Sequence, residues 1–139
     1  MKKIIFFLFL VFLDQLLKFI ARKSMFAPEL IRYVCNKNIA WSIPIAPGFF
    51  YLVWVVIFLI LVYCLAKSKT EIEKISLTVI LSGAASNLFD RLTHGCVSDF
   101  IDLKFWPVFN LADICITIGI IMLAYSMIKN NPRKEASKF

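Results

Sequence analysis

Four stretches of the chain are so continuously apolar that neither the alternation of a half-buried strand nor the single stripe of a water-facing helix describes them. The first follows Lys2-Lys3 and runs over residues 4–21, with Asp14, Gln15 and Lys18 set inside it. The second, residues 49–66, reads FFYLVWVVIFLILVYCLA and holds no charge. At about 1.5 Å per residue it reaches about 27 Å, the depth of a hydrocarbon core. The third covers about 72–89 and the fourth about 108–128. A basic start before an apolar run also describes a signal peptide. No small-residue cleavage site follows, however, and the run carries Asp14 and Lys18, so the pattern predicts an uncleaved transmembrane helix. The expected architecture is all-α and polytopic: one integral membrane domain over 1–139, with four spans and outer loops at 22–48 and 90–107. The first loop carries three prolines and a β-like stretch, Leu30 to Cys35, which predicts a small β-containing region on the membrane surface.

Composition agrees. Of 139 residues, 60% are apolar and 18% charged, with a mean hydropathy of +0.80. Average globular chains carry about 25% charged residues, so an ordinary soluble domain is excluded, as are disorder and low complexity. The net charge of +7 would suggest nucleic acid in a soluble protein. Here the cations flank apolar runs, so they predict topology and contact with membrane lipid, and no nucleic-acid partner. Four spans put both termini on one side. Lys2, Lys3, Lys67, Lys69, Lys74, Lys129, Arg133, Lys134 and Lys138 crowd the short segments on that side, whereas Arg22, Lys23, Arg32, Lys37, Arg91 and Lys104 are spread over longer ones. The denser side is cytoplasmic by the positive-inside rule. Trp41, Tyr51, Trp54 and Trp106 then gather at the outer interface.

Charged groups in or beside a span are costly, and each needs a partner or a task. Asp14 and Lys18, four apart on one helical face, can pair, either as a structural unit or in support of a nearby site. Ser82-Gly83-Ala84-Ala85-Ser86 reads as a small-residue face for close helix packing. Asn87, Asp90 and Arg91 follow at the outer edge. Asn110 and Asp113 stand near the start of the fourth run, Thr117 a turn deeper, with no basic residue within a helical turn of Asp113. Asp99 lies in the preceding loop. Asp99 and Asp113, with Asp90 as a third candidate, therefore converge at one depth. Two adjacent carboxylates in a poorly solvated place share a proton, and together offer a general base and a general acid. Taken alone, the spacing also fits structural or proton-carrying aspartates.

At these residues the chain resembles lipoprotein signal peptidase (signal peptidase II), the membrane aspartic peptidase family of bacteria. Asp14-Gln15-x-x-Lys18, Asn36-Lys37-Asn38-Ile39-Ala40-Trp41-Ser42, Gly83 to Arg91 followed by Gly95 to Phe100, and Phe109-Asn110-Leu111-Ala112-Asp113 match its motifs in order. The resemblance implies that Asp99 and Asp113 are the catalytic pair. It further implies that Asn36, Asn87, Arg91 and Asn110 line the site, and that Asp14, Lys18, Asp90 and Ala112 support it, without metal or cofactor. The implied substrate is a prolipoprotein bearing a diacylglyceryl cysteine, cut on the amino side of that cysteine. The implied inhibitor is globomycin, the implied state a monomer, and the implied location the bacterial cytoplasmic (inner) membrane with the site near the outer face. Ser82 and Ser86 stand where the family has glycine, Asn38 replaces a loop glycine, and Trp41 a phenylalanine. These departures bear on loop geometry and lipid fit.

Two other functional classes make demands that this sequence meets less well. A quinone-coupled thiol oxidoreductase needs reactive cysteine pairs on the outer side, and this chain has one cysteine in each outer loop, Cys35 and Cys96; a disulfide between them is left open. Cys64 and Cys115 read as packing thiols, and His94 as a surface or interface residue. A proton-coupled transporter should carry its acids at mid-membrane with broken helices, not clustered at one edge.

Overall fold

The computed structural model describes residues 2–23, 30–37 and 47–130, with the backbone alone at 47–50. The expectations for Asn38 and Trp41, and the basic residues Arg133, Lys134 and Lys138, lie outside the described residues. In chain order the elements are α1 (Lys2–Lys23), β1 (Ile31–Asn36), α2 (Pro47–Lys67), α3 (Glu71–His94), β2 (Val97–Ile101) and α4 (Leu111–Lys129). The protein is thus mostly helical, with a two-stranded sheet. Among the described residues, α1 and α4 are long and apolar enough to cross a membrane. The apolar stretch of α2 with described side chains, Tyr51–Lys67, is shorter, and α3 is too polar to pass the same test.

Side chains are distributed inside out relative to a water-soluble domain. Ile4, Leu8, Phe12, Leu59 and Ile121 stand outward and exposed, while Asp14, Lys18, Asp90 and Asn110 are at most 1% exposed. In water this would expose large apolar patches and strand charges in the core. It is stable only where the surrounding medium is itself apolar.

Helix α3 is the central element, in contact with α1, α2 and α4. Its start is fixed by Thr70, whose hydroxyl accepts from the Glu73 amide while the Glu73 carboxylate accepts from the Thr70 amide. Its end is fixed by Gly95 in the left-handed region, φ 72°, where its N–H reaches the Arg91 carbonyl. The helix therefore runs past the apolar stretch 72–89 and takes Asp90 and Arg91 with it. α4 lies close against α3 at two glycines, Gly83 and Gly119. A Cβ on Gly83 would collide with the Ala112 carbonyl oxygen, and one on Gly119 would lie 2.6 Å from Ile80 Cγ1. The small-residue run thus lets the two helices approach closely.

The strands pair antiparallel, Val34 opposite Asp99, Cys35 opposite Ser98 and Asn36 opposite Val97, with an irregularity between Ile31 and Val34. The β-like stretch expected at 30–35 is β1; β2 falls where only a loop had been expected. β2 is buried along most of its length, while β1 is largely exposed. Ile101 then bridges to Phe109, which returns the chain to the start of α4. A disulfide joins Cys35 of β1 to Cys96, the residue just before β2, with Cα atoms 5.5 Å apart.

Candidate active site

The start of α4 organises the site. Asn110 is its N-cap: the side-chain oxygen accepts from the Asp113 amide at 2.9 Å, and Asp113 Oδ2 accepts from the Asn110 amide at 3.3 Å. Asparagine suits this position because its short acceptor satisfies an N–H that the helix itself cannot. The sequence puts Asp113 near the start of the fourth apolar run; the structure places it in the first turn of α4, where the helix dipole also favours a carboxylate. The remaining donor of Asn110, Nδ2, points to Asp99 Oδ1 at 2.6 Å. One side chain therefore fixes both aspartates.

Each carboxylate has a second amide donor. Asn36 Nδ2 donates to Asp99 Oδ2 at 2.9 Å, and Asn87 Nδ2 donates to Asp113 Oδ1 at 2.8 Å. Asp99, Asp113, Asn36, Asn87 and Arg91 all line one cleft of about 880 Å³, whose wall includes Trp106, Phe109 and Ile116. Arg91 interacts electrostatically with both Asp113 and Asp99. Burial in this setting pushes the Asp99 carboxyl up to about 6. The charge of Asp113 acts in the same direction, against the opposing amide bonds from Asn36 and Asn110.

Behind the cleft lies a second, dry layer. Lys18 is fully buried, 2.7 Å from Asp14 Oδ2 and 3.5 Å from Asp90 Oδ2. Its ammonium also donates to Asn87 Oδ1 at 2.8 Å. That bond fixes which end of the Asn87 amide faces Asp113, so Lys18 acts on the cleft through Asn87. Asp14 Oδ1 accepts from the Ala112 amide at 2.8 Å, an otherwise unpaired N–H in the first turn of α4. Ser86 donates to Asp14 Oδ2 at 2.6 Å and accepts from Gln15 Nε2 at 2.9 Å. Thus Ser86, one of the two serines that depart from the resembled motif, adds a buried hydrogen bond.

The structure separates Asp90 from the pair. Its carboxylate accepts from the Ser98 amide at 2.8 Å and meets Arg22 at 3.4 Å, while Arg22 also donates to Ser98 Oγ at 2.8 Å. Asp90 thereby anchors the strand that carries Asp99. Arg22 and Ser98 had not been singled out from the sequence. Arg22 follows Lys18 by four residues, the signal that would have placed it on the same helix face.

His94 is exposed and lies 2.7 Å from its neighbour Thr93 Oγ1. Cys115 is buried as expected, but Cys64 faces outward on α2. Among the described residues, no group of three His, Cys, Asp or Glu is placed to hold a metal ion.

Comparison with known proteins gives this geometry its setting. The family described as signal peptidase (SPase) II matches residues 6–129. The lipoprotein signal peptidase of Caldicellulosiruptor bescii is 43% identical over 100 residues, covering 71% of this chain and 67% of that protein. The lipoprotein signal peptidase of Caldanaerobacter subterraneus subsp. tengcongensis is 39% identical over 132 residues, covering 86% and 91%. A bacterial membrane enzyme solved by the in meso method at 2.3 Å superimposes with a TM-score of 0.85 at 29% identity, covering 96% of this chain and 91% of that one. A second such enzyme, solved at 1.9 Å, gives 0.81 at 27% identity, covering 94% of each. The chain is a bacterial membrane protein and belongs to the signal peptidase II family, whose members are peptidases.

Proposed function

We propose that the protein is an aspartic endopeptidase that removes the signal peptide from diacylglyceryl-modified prolipoproteins, cutting on the amino side of the lipidated cysteine. The observation that carries this reading is Asn110, which hydrogen-bonds both Asp99 and Asp113 at the wall of one cleft. The pair shares one proton. The ionised carboxylate takes a proton from a water as that water attacks the scissile carbonyl, and the protonated partner gives its proton to the departing amide nitrogen. Asn36, Asn87 and Asn110 hold the carboxylate planes, while Arg91 orients the peptide at the cleft. Lys18, Asp14, Asp90 and the Ala112 amide brace these groups from behind. The apolar wall at Trp106 and Ile116 suits the acyl chains of the modified cysteine, and globomycin would occupy the same cleft.

Four spans, at about 4–21, 49–66, 72–89 and 108–128, complete the proposal. Both termini are cytoplasmic, outer loops 22–48 and 90–107 flank the site, and the protein acts as a monomer in the cytoplasmic membrane. The outward-facing apolar side chains of α2, among them Leu52, Val55, Leu59 and Val62, and the charge asymmetry of the connecting segments support this topology.

The test is cleavage of a lipidated precursor by folded Asp99→Asn and Asp113→Asn. Asn is nearly isosteric with Asp but transfers no proton, so each variant should lose about 10²–10⁴-fold in rate or more. The double variant should be little worse than either single one, because the two groups act as a unit. Substantial turnover by Asp113→Asn would reject the pair.

A further inference from the structure

The Cys35–Cys96 disulfide takes no part in proton transfer, yet it ties β1, which carries Asn36, to the residue just before β2, which carries Asp99. The strands are secured very unequally. β2 is buried, its Ser98 amide is held by Asp90, its Ser98 hydroxyl by Arg22, and its end by the bridge to Phe109. β1 is six residues long and mostly exposed, in a sheet of two strands whose register breaks between Ile31 and Val34. Such a ribbon is marginal on its own. The far end of β1 is tied down where the Leu30 carbonyl accepts from the Asp102 amide at 3.0 Å. The covalent tie falls at the other end, on the residue adjacent to Asn36.

The two sulfurs also differ in access. Cys96 is 2% exposed, whereas Cys35 is exposed and lines the cleft. We propose that the Cys35–Cys96 disulfide is a redox-controlled positioning clamp: oxidised, it holds Asn36 against Asp99 and keeps the cleft competent; reduced, it frees Asn36 and slows cleavage. The proposal rests on the peptidase reading above. A dithiol in the outer compartment opens the clamp. Its thiolate attacks Cys35 Sγ, the S–S bond breaks, and Cys96 leaves as a thiolate that takes up a proton. The second thiol of the reductant then displaces Cys35, so two electrons and two protons pass to the protein and the dithiol becomes a disulfide. A disulfide oxidant, such as a thiol–disulfide oxidoreductase of the oxidising outer compartment, reverses both steps.

The experiment uses full-length Cys64→Ser protein, which removes the exposed free thiol, with Cys115 left buried. Lipidated-precursor cleavage is measured before dithiothreitol treatment, after it, and after reoxidation. Reduction should slow cleavage by about tenfold, the scale of one hydrogen bond to a carboxylate, and reoxidation should restore it. Cys35→Ser should match the reduced rate. Asn36→Ala should start slow and be insensitive to the redox state, because the clamp acts through Asn36. Amide exchange at 31–36 should rise on reduction while α3 and α4 keep their protection, a readout that does not need turnover. Unchanged cleavage on reduction, or equal slowing of Asn36→Ala, would overturn the clamp. Absence of cleavage by the oxidised protein would instead sink the peptidase reading, and unchanged exchange at 31–36 would then overturn the clamp by itself.

Discussion

Replacing Asn110 by Ser separates two tasks that one side chain performs. Serine caps a helix about as well as asparagine, so the start of α4 should keep its stability. Serine cannot reach Asp99, however, and the 2.6 Å bond to Asp99 Oδ1 is lost. A hydrogen bond to a charged group contributes about 1.5–3 kcal/mol, and about 1.36 kcal/mol corresponds to one pH unit. The bond favours the ionised carboxyl, so its loss moves the titration of Asp99 upward from about 6, by about one to two pH units. The general base is the carboxylate, so activity is gained as pH rises through this value. At pH 7 the variant should lose about two- to tenfold in kcat/KM, and at pH 9 most of that loss should vanish. Asn110→Ala removes the cap as well and should lower stability by a further ~1 kcal/mol. The assay is precursor cleavage from pH 5 to 9, with thermal unfolding of each variant. Because the aspartates titrate as a pair, the displaced limb belongs to the pair. An acidic limb unmoved in well-folded Asn110→Ser would refute the assignment of Asn110 as the group that tunes Asp99.

Three further outcomes follow from the same geometry. Lys18→Met leaves the buried Asp14 carboxylate without its cation and leaves Asp90 with Arg22 alone, and should cost about 3–5 kcal/mol in unfolding free energy; a denaturation midpoint equal to wild type would contradict the buried network. Gly83→Ala drives a methyl into the Ala112 carbonyl and should cost about 1–3 kcal/mol, with a fall in kcat, since Asp113 follows Ala112 directly; unchanged thermal stability and cleavage would show that α4 can yield at no cost. Reporter fusions at Lys67 and Lys37 should report opposite sides of the membrane, and an external signal at Lys67 would overturn the proposed topology.

How much of this was legible in the sequence depended on range. Apolar runs announce helices because continuous hydrophobicity is a local property, and Asp14 with Lys18 were visible because their partnership is one helical turn. The split between Asp99 with Asp113 on one side and Asp90 on the other came from the resemblance alone; spacing left Asp90 as a third candidate. Asp90 and Asp99 are both acids near the same edge, and only the pairing of Asp90 with Ser98 and Arg22, through contacts 8 and 68 residues apart, separates them. β2 escaped because its residues, Val97-Ser98-Asp99-Phe100-Ile101, form a strand only against β1, some 60 residues earlier. The hydroxyl of Ser86 could be read as a small packing residue but not as a donor, since its acceptor Asp14 lies 72 positions away.

The bond from the Ala112 amide to Asp14 spans 98 residues and ties the first helix to the last. It carries a consequence for biogenesis. When α1 enters the bilayer ahead of the rest of the chain, Asp14 and Lys18 can neutralise each other across one turn, which lowers the cost of inserting both. As α3 and α4 arrive, the same two side chains take on Ser86, Asn87, Asp90 and the open end of α4 without giving up their own contact. A nascent chain lacking α4 lacks Asp113, and so holds only one of the two carboxylates. On the proposed mechanism, cleavage therefore waits for the last helix to dock.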